Sequence, residues 1–143
     1  MILVDANLLI YAIDQESVHH AKAHAWVEQI LSETMPVGIA WIVLLALLRI
    51  TTLTRLTRNA LSPERAIAYV DSWLALPHVS LVLPGEQHWP ILRNLLQVSG
   101  TSGNLTSDAH LPALAIEHGY TVFTADNDFQ RFAGVSVRNP LEP

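Results

Sequence analysis

The sequence predicts an α/β fold with a mostly parallel central sheet of four or five strands and helices on both faces. Three features carry this: short β-type apolar runs alternate with helical segments, acidic residues sit at the ends of those runs, and the chain is 143 residues long. That length suits a single domain over residues 1–143, which would bury roughly 70% of the surface its unfolded chain exposes. Half the residues are apolar and 15% are charged, against about 25% in typical domains. The balance excludes intrinsic disorder and points to a surface partly covered by a partner.

Ile2-Leu3-Val4 is an apolar run ending at Asp5, and Leu8 to Ala12 is apolar again, which predicts a buried strand, a tight turn and a helix start. Ser17 to Glu33 has helical spacing, with Ala21, Ala25, Trp26 and Ile30 on one side. Pro36 to Ile39 reads as a second strand. Trp41 to Leu56 is too long for a strand and reads as a buried helix broken by Arg49. Ser62-Pro63 opens another helix with a capping hydroxyl and a proline in the first helical position, and Pro77 stops it after Leu76. Val79 to Leu83 is a third strand, and Pro84-Gly85 turns the chain into a helix containing Trp89 and Leu92. Ser99 to Asn104 has the composition of a loop. A helix from about Ser107 to His118 is closed by Gly119. Tyr120 to Thr124 is a fourth strand, Ala125 to Asp128 a polar turn, and Val135 to Arg138 a fifth strand.

The chain has no cysteine, which excludes a disulfide framework and thiolate chemistry. The N-terminus lacks a basic region and carries an acid at Asp5, against a signal peptide. The longest uncharged apolar stretch, Ile39 to Leu48, is half of what a bilayer span requires. A soluble protein of the reducing cytoplasm is expected. Eight basic residues against thirteen acidic ones give a formal net charge of −5, and Lys22 is the sole lysine. No basic stripe for holding nucleic acid by bulk electrostatics is visible. Arg49, Arg55 and Arg58 do cluster, and arginine forks to phosphate.

Open α/β sheets place their sites beyond the carboxyl ends of the strands. Asp5 ends the first strand, Asp126 follows the fourth, and Asp128 stands in the same turn as Asp126. Asp108 falls in the first turn of the predicted Ser107–His118 helix, where the helix dipole favours an ionised carboxylate. Carboxylates gathered in one crevice raise each other's pKa unless a cation neutralises them. With oxygen ligands and no cysteine, the matching ion is hard, Mg²⁺ or Mn²⁺. Taken singly, an aspartate at a strand end or helix start is more often a turn or cap residue.

Three segments resemble PIN domains, the nuclease fold of VapC-type toxins. Val4-Asp5-Ala6-Asn7-Leu8-Leu9-Ile10-Tyr11-Ala12 looks like their opening. Asn104-Leu105-Thr106-Ser107-Asp108-Ala109-His110-Leu111, with Ala113 to Gly119, is similar to their third-acid helix. Thr121-Val122-Phe123-Thr124-Ala125-Asp126-Asn127-Asp128-Phe129 resembles their last strand and acidic turn. The resemblance implies a three-layer α/β/α fold and an Mg²⁺- or Mn²⁺-dependent endoribonuclease toxin that hydrolyses RNA phosphodiester bonds by a metal-activated water. It implies a VapB-type antitoxin that sends a C-terminal segment, often an arginine, into the site, and it implies a homodimer. Asp5, Asp108 and Asp126 would be metal ligands, directly or through water, with Asp128 an auxiliary acid and Asn7 and Thr124 orienting the carboxylates.

One position departs from the pattern. PIN domains usually carry a glutamate on the helix after the second strand, and the matching place here is Ala46, with no acid anywhere between Glu33 and Glu64. Either the aspartates suffice, or the site is weakened, or the residue was changed to silence it. The alternative function is therefore a PIN-like module that binds antitoxin or RNA without cutting.

Arg49 and His110 are candidate contacts for substrate or antitoxin. Arg49 would pair with a site carboxylate, cap its helix or reach phosphate, and Arg131 would pair with a nearby acid. His19, His20 and His24 have spacing that would suit a metal but read better as a solvated helix face. Trp26, Trp41, Trp73 and Trp89 read as core or interface anchors. A phosphoryl receiver would need a late lysine, a haloacid-type phosphatase an Asp-x-Asp after the first strand, and a nicotinamide-binding domain a G-x-G-x-x-G there; none is present.

Overall fold

A computed structural model describes residues 1–54, 59–100 and 105–143. Arg55, Arg58 and most of the Ser99–Asn104 loop lie outside the described residues, and the helix predicted over Trp41–Leu56 ends at Thr52, where Leu53 turns to extended backbone.

The strands are β1 (Ile2–Val4), β2 (Val37–Ala40), β3 (Val79–Val82), β4 (Thr121–Phe123) and β5 (Ser136–Arg138). All pair in parallel, in the order β3-β2-β1-β4-β5. β1 and β2 are buried at every position, which is why they read as unbroken apolar runs rather than alternating ones. Gly38 in β2 allows a close approach: a Cβ there would lie 2.5 Å from a methyl of Val82 and 3.2 Å from the Tyr120 ring.

The helices are α1 (Ala6–Ile13), α2 (His20–Ser32), α3 (Trp41–Thr52), α4 (Pro63–Leu74), α5 (His88–Ser99), α6 (Leu105–Asp108) and α7 (His110–His118). Helices α1 to α4 pack on one another, as do α5 to α7. Right-handed crossovers put the first group on one face and the second on the other, because the chain reverses direction across the sheet after β3. The result is the predicted three-layer α/β/α fold. Leu3, Leu8, Ile39, Leu44, Leu47, Leu114 and Val122 are buried in the core on both sides of the sheet.

Local chemistry explains the boundaries. Ser62 caps α4 by accepting from the Arg65 N–H at 3.2 Å, with Pro63 next. Gly119 ends α7 at φ 73°, in the left-handed region. α2 starts at His20 rather than Ser17, because the Ser17 hydroxyl accepts from the His19 N–H at 3.1 Å and holds a turn there.

The predicted Ser107–His118 helix is two pieces, and this corrects the placement of Asp108. Asp108 is the last residue of the short α6, and α7 restarts at His110 after Ala109. Pro112 is the cause: it has no N–H for the carbonyl of Asp108 four residues earlier, and its ring would crowd that carbonyl. Restarting at His110 puts Pro112 in a first turn, where no donor is required.

Candidate active site

The strand order reverses between β1 and β4, and such a reversal opens a crevice at the carboxyl ends of the strands. In the β1–β4 register Val4 lies opposite Phe123, so the next residues, Asp5 and Thr124, emerge side by side. The Asp5 N–H closes this junction by donating to the Phe123 carbonyl at 2.9 Å.

Asp5 caps α1, its Oδ1 accepting from the Ala6 N–H at 2.7 Å. Its Oδ2 accepts from the Thr124 hydroxyl, also at 2.7 Å. Thr124 is buried, and its Oγ1 accepts in turn from Asn7 Nδ2 at 3.2 Å and from the Asp126 N–H at 3.0 Å. Asn7 Oδ1 accepts from the Ala125 N–H at 3.3 Å. One hydroxyl therefore fixes Asp5 and the backbone of Asp126 together, and Asn7 ties the start of α1 to the same turn. Asp126 caps the 3₁₀ turn Asn127–Arg131 by accepting from the Asp128 N–H at 2.9 Å.

The electrostatics link the third acid to this pair. Burial pushes the Asp5 carboxyl above its ordinary pKa; the donors Thr124 and Ala6 pull it down, and the charges of Asp126 and Asp108 push it up. Asp108 is also raised, by burial and then by Asp126 and Asp128, with Arg131 acting the other way. Asp5, Asp108, Asp126 and Asp128 form one interacting set, although among the described residues no three acids or histidines stand close enough to hold an ion directly between them.

These shifts make a prediction about stability. A carboxyl whose folded pKa is raised contributes stability that is full below its unfolded pKa and is lost as pH rises through the folded value. His88 and His110 lie below their ordinary values, chiefly through burial, and act oppositely, their contribution falling as pH falls. The Asp108 contribution is therefore read as a difference. Asp108→Asn should melt higher than wild type at pH 7 in chelator, and the gap should close as pH falls toward 4. Differential scanning fluorimetry across pH measures it.

The remaining predicted residues lie elsewhere. His110 turns toward α5, with its Nδ1 3.0 Å from His88 Nε2 and the rings edge to face. Among the described residues the buried Nδ1 of His88 has no hydrogen-bond partner. An unpaired lone pair there costs less than an unpaired N–H, which assigns the proton to Nε2, donating to His110. Arg49 is exposed in the last turn of α3 and, among the described residues, pairs with none of the carboxylates. Ala46 is partly buried on α3 and brings no charge. Arg131, expected to pair with a nearby acid, does so: its guanidinium lies 3.5 Å from Asp128 Oδ1 and its Nε donates to the Asp128 carbonyl at 3.1 Å.

These features define a class, the open parallel α/β domain with interacting aspartates over its switch point. The PIN domain family model matches residues 2–135. Ribonuclease VapC37 of Mycobacterium tuberculosis is 44% identical over 140 residues, covering 98% of this chain and 97% of that protein. The structure of VapBC2 from Rickettsia felis bound to a promoter DNA fragment aligns with TM-score 0.69 at 18% identity, over 97% of this chain and 98% of that one. That of M. tuberculosis VapC20, described as a sarcin-ricin loop cleaving toxin, aligns with TM-score 0.65 at 18% identity, over 95% and 99% of the two chains. The chain belongs to the PIN domain family.

Proposed function

We propose that this chain is an endoribonuclease toxin dependent on Mg²⁺ or Mn²⁺, neutralised by a VapB-type antitoxin and working in the cytoplasm as a homodimer. The observation that carries the reading is the shared Thr124 hydroxyl, which holds Asp5 and the Asp126 backbone together while Asp108 bears electrostatically on both. Near full-length similarity to a protein named a ribonuclease supports the activity. The VapBC complex among its structural neighbours supports the antitoxin. Among the described residues no helix is long and apolar enough to cross a membrane.

The donor set suits a hard cation. Every candidate ligand is a carboxylate oxygen, and Mg²⁺ commonly keeps several waters while taking only one or two carboxylates. In that mode Asp5, Asp108 and Asp126 would hold the ion directly or through water. When bound, the ion would lower the pKa of a water and offset the negative charge building on the phosphate. The protein's own part is orientation. Thr124 and the Ala6 N–H each fix one oxygen of Asp5, Asn7 keeps Thr124 turned toward it, and Asp126 shapes the turn that presents Asp128.

Ala46 favours a second reading, a weakened module that binds RNA or antitoxin without cutting, because one usual negative charge is missing. Labelled structured RNA incubated with Mn²⁺ separates the two. Cleavage by wild type is expected. Ala46→Glu should lower the half-maximal Mn²⁺ concentration by roughly tenfold, since ligand charge count tunes cation affinity. No cleavage by wild type with cleavage by Ala46→Glu would give the second reading. No cleavage by either would contradict the enzyme and would show that the charge missing at Ala46 is not what silences the site.

A further inference from the structure

We infer that Arg131 grips a phosphate of the RNA beside the carboxylates, an inference that rests on the ribonuclease reading. A site built from acids repels RNA, and a chain of net charge −5 offers little bulk attraction to overcome that. A cation of the protein beside the carboxylates would offset that repulsion where the backbone enters the site. Arg49, exposed on α3, pairs with none of the acids among the described residues, and His110 is turned to His88. Arg131 is differently placed. It closes the 3₁₀ turn that begins at Asp126, and its Nε bond to the Asp128 carbonyl fixes where its guanidinium starts from.

Its present ion pair is weak enough to exchange. The Arg131–Asp128 contact is 3.5 Å long, with the two side chains 37% and 62% exposed. Exposed pairs of this kind add little to stability, because solvent screens them and the long side chains lose freedom in holding one geometry. Turning the terminal nitrogens from Asp128 to a phosphate oxygen therefore costs little, and the Nε bond can remain during the turn. Arginine suits the task because its fork matches two oxygens of one phosphate. In the free protein the same charge eases the repulsion at Asp108, which places it on the rim of the acidic site.

Steady-state cleavage of labelled structured RNA in Mn²⁺ at several KCl concentrations tests this on wild type, Arg131→Gln and Arg131→Lys. Arg131→Gln should raise KM about tenfold, the size of one lost charge-assisted contact, and change kcat less than about threefold. The salt slope of log(kcat/KM) should become shallower by about 0.7, the value for one phosphate contact on a single strand. Arg131→Lys should recover most of KM, which a purely structural role in the turn would not predict. Circular dichroism and thermal melting of Arg131→Gln should match wild type, so that its change in KM reports a lost contact and not a loss of folding. Wild type that cleaves, with KM and salt slope unchanged in Arg131→Gln, overturns this inference alone. A fall in kcat at unchanged KM overturns it as well. Wild type that neither cleaves nor binds RNA overturns the ribonuclease reading and this inference with it.

Discussion

Asp5→Asn should lower kcat/KM for structured RNA by at least about a thousandfold, the scale on which a single charge-stabilising group acts in catalysis. Asp5 is the acid that the fold places most firmly. It leaves β1 at the strand-order reversal, caps α1 through Ala6 and accepts from Thr124. Asparagine keeps the shape and one acceptor, so the cap survives, but it removes the charge and cannot accept at both positions. The loss should therefore come with retained secondary structure by circular dichroism. Cleavage by Asp5→Asn equal to wild type would remove this residue from the chemistry.

Thr124→Val should be the second largest effect, and it acts on stability as well as activity. Valine fills the same space, but the hydroxyl's three bonds, to Asp5, Asn7 and the Asp126 N–H, all vanish. Leaving buried partners unpaired costs about 1–3 kcal/mol. By size scaling that lowers the midpoint by roughly 3–10 °C. Removing a group that orients ligands typically costs about 10–100-fold in metal affinity or activity, and the same loss is expected in cleavage. Thr124→Ser keeps the hydroxyl and should restore most of both. A valine variant with wild-type melting and cleavage would show that the hydroxyl organises nothing.

Much of this architecture is legible from the chain. Ile2 to Val4 announces itself as an unbroken apolar run because both faces of the sheet are covered there. Val79 to Leu83 and Tyr120 to Thr124 are legible as short β-type runs although parts of them are less buried. Asp5 and Asp126 are found from sequence because a strand end is a fixed place in such a fold. Asp108 is harder. Its helix is interrupted by the backbone demand of Pro112, a signal present in the sequence that helical spacing alone passes over. Arg131 is legible as a residue near acids, but its relation to Asp108 depends on how a one-turn 3₁₀ helix orients its side chain. The His88–His110 contact joins α5 to α7 across 22 positions, and no local pattern announces it. Ala46 is read equally well from either source: a missing charge is visible in the sequence, and its consequence is a matter for experiment.

The most direct measurement is Mn²⁺ binding to the metal-free protein by electron paramagnetic resonance, comparing wild type with Asp5→Asn and Asp126→Asn. Wild type should take up Mn²⁺ with a saturable signal that either substitution weakens by an order of magnitude or more. Equal uptake by all three proteins, or RNA cleavage that persists undiminished in chelator, would mean that these aspartates do not gather around a cation.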